Sequence, residues 1–180
     1  MEYKTLESHL VFSGRVFDVH SEKVQTPAGS TMQVDLVSHA GAVAIIAVDD
    51  DENVLLVRQY RHPTGKALLE LPAGTLEQGE DPDVCARRES REEIGYEPAE
   101  LIRIGGGYMA PGYSTEYIHF FLARQLTPAP LPGDEDEDIQ VERLPLSRLA
   151  ELIRSGEIED VKTIAGFNLV TTYMDTEKPR

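Results

Sequence analysis

Seven consecutive apolar residues, Ala42-Val43-Ala44-Ile45-Ile46-Ala47-Val48, constrain this chain more than any other stretch. A strand with one wet face alternates in polarity. This run does not, so it is expected to be a strand buried on both faces. Asp49 to Asn53 reads as a polar turn, and Val54 to Tyr60 as the next strand. Upstream, Phe17 and Val19, then Met32, Val34 and Leu36, alternate with more polar neighbours. Pro27-Ala28-Gly29 lies between them, which predicts a hairpin. A helix is predicted over 82–94, because Asp81 is a good N-cap, Pro82 suits the first helical position and Gly95 favours a left-handed cap. Strands are predicted at 101–106, 117–124 and 139–144, with a Pro-rich and then acidic loop over 127–138. A short helix at 146–155 and a last helix at 160–174 complete the pattern. The last helix places Val161, Ile164, Ala165, Leu169 and Tyr173 on one side. Strands and helices are interspersed without strict alternation, which predicts an α/β (α+β) chain with a mixed sheet covered by helices. Residues 1–38 read as a β appendage on a domain spanning 39–180.

The composition is globular, with 41% hydrophobic and 27% charged residues among 180. A net charge of −15 argues against nucleic acid or an anionic membrane as partner. An anionic substrate would need a bound cation. Cys85 is the one cysteine, so no disulfide framework exists and a reducing compartment fits. The opening Met1-Glu2-Tyr3-Lys4 is not an apolar leader, and no stretch approaches the roughly 18 apolar residues of a membrane span. A cytoplasmic location is expected.

The most informative segment is Arg87-Arg88-Glu89-Ser90-Arg91-Glu92-Glu93. On a helix, Glu89 lies beside both Glu92 and Glu93, and like charges at these spacings repel by about 0.2–0.5 kcal/mol per pair. A solvated face tolerates that, and Arg88 to Glu92 is a favourable pair. The alternative is that the glutamates face a cavity, since the helix has no clean apolar stripe. The preceding Leu69-Glu70-Leu71-Pro72-Ala73-Gly74-Thr75 reads as a tight apolar loop that can aim a carbonyl, that of Ala73, at whatever the glutamates bind. Carboxylates plus a carbonyl suit the hard cations Mg²⁺ and Mn²⁺. No His/Cys spacing supports zinc. Gly105-Gly106-Gly107 lacks the Lys-Ser/Thr of a phosphate loop, and His62 and His119 match no triad.

Gly74, five residues, Glu80, seven residues, then Arg88-Glu89-Ser90-Arg91-Glu92-Glu93-Ile94-Gly95-Tyr96 resembles the Nudix box. Ser90 departs from it, standing where the family prefers an aliphatic residue that packs the helix on the sheet. Arg58-Gln59-Tyr60-Arg61, Glu70-Leu71-Pro72-Ala73-Gly74 and Ala110-Pro111-Gly112-Tyr113-Ser114-Thr115-Glu116 resemble the ADP-ribose pyrophosphatase subgroup. The acidic stretch Asp134-Glu135-Asp136-Glu137-Asp138 fits it too.

The resemblance implies a Nudix-type α/β/α sandwich with a small N-terminal β-sheet through which two copies pair as a homodimer. It implies metal-dependent hydrolysis of a nucleoside diphosphate-linked molecule, ADP-ribose giving AMP and ribose 5-phosphate. GDP-mannose or NADH are alternative substrates. A non-enzymatic ADP-ribose-binding regulator is a rival that the intact Glu89, Glu92 and Glu93 oppose. Glu89, Glu93 and the Ala73 carbonyl would be the main metal ligands, with Glu92 auxiliary and Glu80 supporting the loop or a further metal. Arg88 would orient the glutamates. Glu135 or Glu137 would be the general base. Arg58, Arg61, Glu70, Tyr113 and Glu116 would face the substrate.

Overall fold

The computed structural model describes residues 2–133 and 138–177. The chain divides into two compact units. One comprises the residues up to Gly41 together with Gly107–Ile118, and the other comprises Ala42–Gly106 and the chain from His119 onward.

The first unit is an antiparallel meander of β1 (Lys4–Ser13), β2 (Phe17–Gln25) and β3 (Thr31–His39). The β2–β3 turn carries the Pro27-Ala28-Gly29 signal. Gly29 takes φ 87°, which other residues resist, and its N–H donates to the Thr26 carbonyl at 2.9 Å. Two register shifts bend β1 against β2. Every residue of β1 is exposed, and Leu6, Leu10, Phe12, Val16, Phe17 and Met32 present apolar surface to solvent. The 107–118 segment joins this unit through Val37, whose N–H donates to the Tyr113 carbonyl at 2.7 Å.

The second unit holds a seven-stranded mixed sheet. β4 (Ala42–Val48), β5 (Asn53–Arg61), β8 (Tyr96–Tyr108), β9 (Tyr117–Pro128) and β10 (Ile139–Pro145) run in the order β10-β5-β4-β9-β8. β4 is buried along its whole length, as its unbroken apolar run demands. Val43, Ile45 and Ala47 pack with Cys85, Ala86 and Ile94 of the segment around α1 (Pro82–Glu93) on one face. Ile46 turns to the other face, where it meets α3 (Val161–Glu177) with Leu71 and Phe120 around Gly166. Each Val, Ile, Leu or Phe among them contributes about 1.5–3 kcal/mol on full burial. The result is an α/β/α sandwich. A short α2 (Leu149–Ser155) follows a single 3₁₀ turn and ends on Gly156 at φ 78°.

Two local expectations change. The stretch 69–75 is not one loop. It contains the end of β6 (Lys66–Glu70), paired with β5, and β7 (Ala73–Thr75), paired with β4. Only Leu71 and Pro72 separate them. Pro72 has no N–H for a ladder, so the chain changes partner there. The buried stripe of α3 also differs. Val161 is exposed, whereas Lys162, Thr163, Gly166 and Val170 face inward. Two polar side chains at the helix start are buried because they bond the β6–β7 corner, as described below.

Candidate functional site

Helix α1 starts where the Asp81 side chain accepts the Asp83 N–H at 2.9 Å, and Gly95 at φ 80° follows its last turn. These caps fix which residues of α1 face β7, which it packs against. Ser90, fully buried, donates its hydroxyl to the Tyr96 carbonyl at 2.7 Å. The hydroxyl thus satisfies a backbone acceptor where an aliphatic side chain would only fill space. Cys85 is also fully buried, and burial pushes its thiol above the ordinary range, which makes it a packing residue and a poor nucleophile.

Arg88 gathers the helix carboxylates. Its Nε and Nη2 donate to the two oxygens of Glu80, each at 3.0 Å. Its Nη1 donates to Glu89 at 2.6 Å and to Glu92 at 2.9 Å. These charge-assisted bonds hold the guanidinium firmly in its charged form and hold the Glu80 carboxyl below its usual range. Glu80 also accepts the Glu77 N–H, so its two oxygens already serve the helix and its leading loop.

Glu89 and Glu93 are each only 9% exposed. Glu93 accepts the Ala73 N–H at 2.9 Å, which ties the helix to β7. Glu89 lies against Gly74 so closely that a Cβ there would stand 1.9 Å from its carboxyl carbon. The glycine is needed for space, a cradle shaped to the carboxylate. Among the described residues no three acidic, His or Cys side chains converge at a point that would already hold a metal. Arg88 and the Ala73 N–H occupy carboxylate oxygens instead. The donors available here are all oxygen, from Glu89, Glu93, Glu92 and the Ala73 carbonyl. That set fits a hard divalent cation and no soft one.

Beside Ala73 lies a second charged network. Arg61 grips Glu70 with two bonds of 2.9 Å. Lys162 also donates to Glu70, and to Asp160 at 2.9 Å. Burial pushes the Glu70 carboxyl up, but the Arg61 bonds and the Lys162 charge outweigh it and hold the carboxyl below its usual range. The Arg61 guanidinium also feels Glu93, which sets this pair near the carboxylates of α1. Arg58 is paired with Glu142 across β5 and β10. The sequence did not single out Lys162, Asp160 or Thr163. The one available signal was Asp160 three residues before Thr163, an N-cap spacing.

Tyr113 and Glu116 belong to the first unit. Tyr113 is exposed, and the Glu116 N–H donates to the Ser114 hydroxyl at 3.1 Å. Glu135 and Glu137 lie outside the described residues.

Several known proteins are similar to this chain. The ADP-ribose pyrophosphatase of Bacillus subtilis (strain 168) is 39% identical over 165 residues, covering 91% of this chain and 89% of that protein. A GDP-mannose pyrophosphatase of Salmonella paratyphi B is 43% identical over 141 residues, covering 73% of each. A crystal structure of an ADP compounds hydrolase superposes with a TM-score of 0.86 at 24% identity, over 98% of this chain and 96% of that one, a likeness of fold. The NUDIX domain matches residues 38–167. That match spans both faces of the sandwich and includes the glycine, arginine and glutamates set out above, and on that ground the chain belongs to the Nudix family.

Proposed function

We propose that this protein hydrolyses the pyrophosphate of ADP-ribose to AMP and ribose 5-phosphate. One observation carries the reading: buried Glu89, paired with Arg88 and seated on Gly74, beside buried Glu93, bonded to the Ala73 N–H, in a chain 39% identical to an ADP-ribose pyrophosphatase. Nudix hydrolases generally use divalent metal ions. Here Glu89, Glu93 and the Ala73 carbonyl would hold Mg²⁺, with Mn²⁺ as a substitute, Glu92 assisting and Glu80 supporting the loop. When bound, the ion neutralises the pyrophosphate and lowers the pKa of water.

The protein's own residues do the rest. Arg88 keeps Glu80, Glu89 and Glu92 oriented through its charge-assisted bonds. Glu135 or Glu137 accepts a proton as water forms its bond to phosphorus and the bridging P–O bond breaks. Arg58 and Arg61 are the phosphate-side cations. Each already has a carboxylate partner, Glu142 and Glu70, so they orient by hydrogen bonds more than by net charge. Tyr113 and Glu116 belong to the substrate side on the resemblance of their segment. Comparing Glu135→Gln with Glu137→Gln at saturating Mg²⁺ identifies the base as the one with the larger loss of kcat, expected near 10²-fold or more. Equal, full activity in both would remove this stretch from the chemistry.

The substrate is tested by product release from ADP-ribose, GDP-mannose, ADP-glucose and NADH, with Mg²⁺ and with EDTA. Turnover of ADP-ribose that EDTA abolishes is the expected result. Preference for GDP-mannose, which the second relative favours, would keep the chemistry and replace the substrate. Binding of ADP-ribose without turnover would favour a regulator.

The exposed apolar residues of β1–β3 favour a second copy of this chain as their cover. Sedimentation should then give a species of twice 20.0 kDa, and a stable monomer would contradict it. Among the described residues no helix is long and apolar enough to cross a membrane. The buried thiol of Cys85 suits the cytoplasm.

A further inference from the structure

We infer that the first two turns of α3 are a positioning clamp for the metal-binding backbone, acting on Glu70 and Leu71 so that the Ala73 carbonyl and Glu93 stand in place. This rests on the reading of Glu89, Glu93 and Ala73 as the metal site. The corner between β6 and β7 is where the chain leaves one partner strand for another. Glu70 still pairs with Val57 of β5, and Ala73 already pairs with Ala44 of β4. The Leu71 N–H has left the ladder, yet it is not free: it donates to the Thr163 hydroxyl at 2.8 Å. The Pro72 carbonyl accepts the Ile45 N–H at 2.9 Å, and the Ala73 N–H goes to Glu93.

Helix α3 reaches this corner with three separate features. Thr163, fully buried, accepts from Leu71 while its hydroxyl hydrogen is directed at Asp160 Oδ2, 2.5 Å away. Asp160 also accepts the Thr163 N–H at 3.0 Å, so one carboxylate caps the helix and sets the hydroxyl's direction. Lys162 joins Asp160 to the buried Glu70. Gly166, one turn on, lets the Leu71 side chain approach so closely that a Cβ would stand 2.5 Å from it. A helix recruited only to cover a sheet would present apolar residues here. This one buries a lysine and a threonine against the two residues that precede Pro72 and Ala73. Groups that orient a ligand-bearing segment without touching the metal typically control affinity or activity by about 10–100-fold.

The test is Mn²⁺ affinity of the full chain, read by electron paramagnetic resonance of the free ion. It is set beside kcat and KM at saturating Mn²⁺ and thermal unfolding without metal. Thr163→Val keeps the shape but leaves Leu71 N–H without its acceptor. It should weaken Mn²⁺ binding about tenfold or more and lower kcat, with KM little changed, while Thr163→Ser restores both. Wild-type Mn²⁺ affinity in a folded Thr163→Val, with only the melting temperature lowered, overturns the clamp. Lys162→Gln and Gly166→Ala reach the same corner through Glu70 and Leu71. If Thr163→Val fails to fold, undiminished Mn²⁺ affinity in both overturns it, and weakened affinity in both upholds it. Glu93→Gln is the control. Weakened affinity there, with none in the α3 variants, overturns the clamp alone; wild-type affinity in Glu93→Gln takes down the metal-site reading and the clamp with it.

Discussion

Glu93→Gln is expected to lower kcat by roughly a thousandfold in a protein that stays folded. The size follows from charge. A bound divalent ion is worth several kcal/mol of transition-state stabilisation, and about 4 kcal/mol is a factor of roughly 10³ in rate. An amide cannot replace a carboxylate as a strong ligand to a hard cation. The fold survives because glutamine retains a carbonyl oxygen. That oxygen can still accept the Ala73 N–H that Glu93 now accepts at 2.9 Å. The substitution also removes a like charge one turn from Glu89, which relieves about 0.2–0.5 kcal/mol of repulsion. Activity assays and a thermal melt, run together on the variant, check both halves. Full activity would remove Glu93 from the metal site, and an unfolded protein would show that its charge serves structure.

Gly74→Ala should be nearly as damaging, by another route. Its new methyl would stand 1.9 Å from the Glu89 carboxyl, so one of the two must move. Glu89 is held by Arg88 at 2.6 Å, and Gly74 sits in β7 paired with Val43 of the buried β4. Neither moves cheaply. Such crowding costs about 1–3 kcal/mol of stability. The displaced carboxylate should cost activity on the order of 10²-fold or more, as loss of a metal ligand does. The clash is specific to one side chain, which gives a sharper check. In Gly74→Ala combined with Glu89→Ala, the lost stability should return while the activity stays absent. If the double variant is less stable than Gly74→Ala alone, the contact with Glu89 is not what the glycine is for.

The two substitutions also show what could be read from the chain and what could not. Residues 42–48 announced a doubly buried strand because nothing in them alternates, and Asp81, Pro82 and Gly95 marked the ends of α1 through local chemistry alone. The spacing of Gly74, Arg88, Glu89 and Glu93 was enough to suggest the family that the domain match shows. Its geometry depended on three dimensions: Gly74 reads in the sequence as part of a tight loop and proves to be a space for Glu89. The partner change at Leu71-Pro72 was illegible, because pairing with β5 or β4 is decided far along the chain. So was the buried face of α3. Apolar periodicity pointed to Val161, which is exposed, while the polar Lys162 and Thr163 are buried by partners about ninety positions away, Glu70 and Leu71. Periodicity registers hydrophobic burial and is blind to a polar side chain whose hydrogen bonds lie elsewhere.

Arg88 carries a consequence for how the protein lives with a fluctuating ion supply. One guanidinium answers Glu80, Glu89 and Glu92 together, so the crowded carboxylates have an internal counter-ion that never leaves. The fold therefore does not wait on a metal to relieve these carboxylates. An ion held at the proposed site would add stability to a chain already folded, so its removal should lower the melting temperature without unfolding the protein at ordinary temperature.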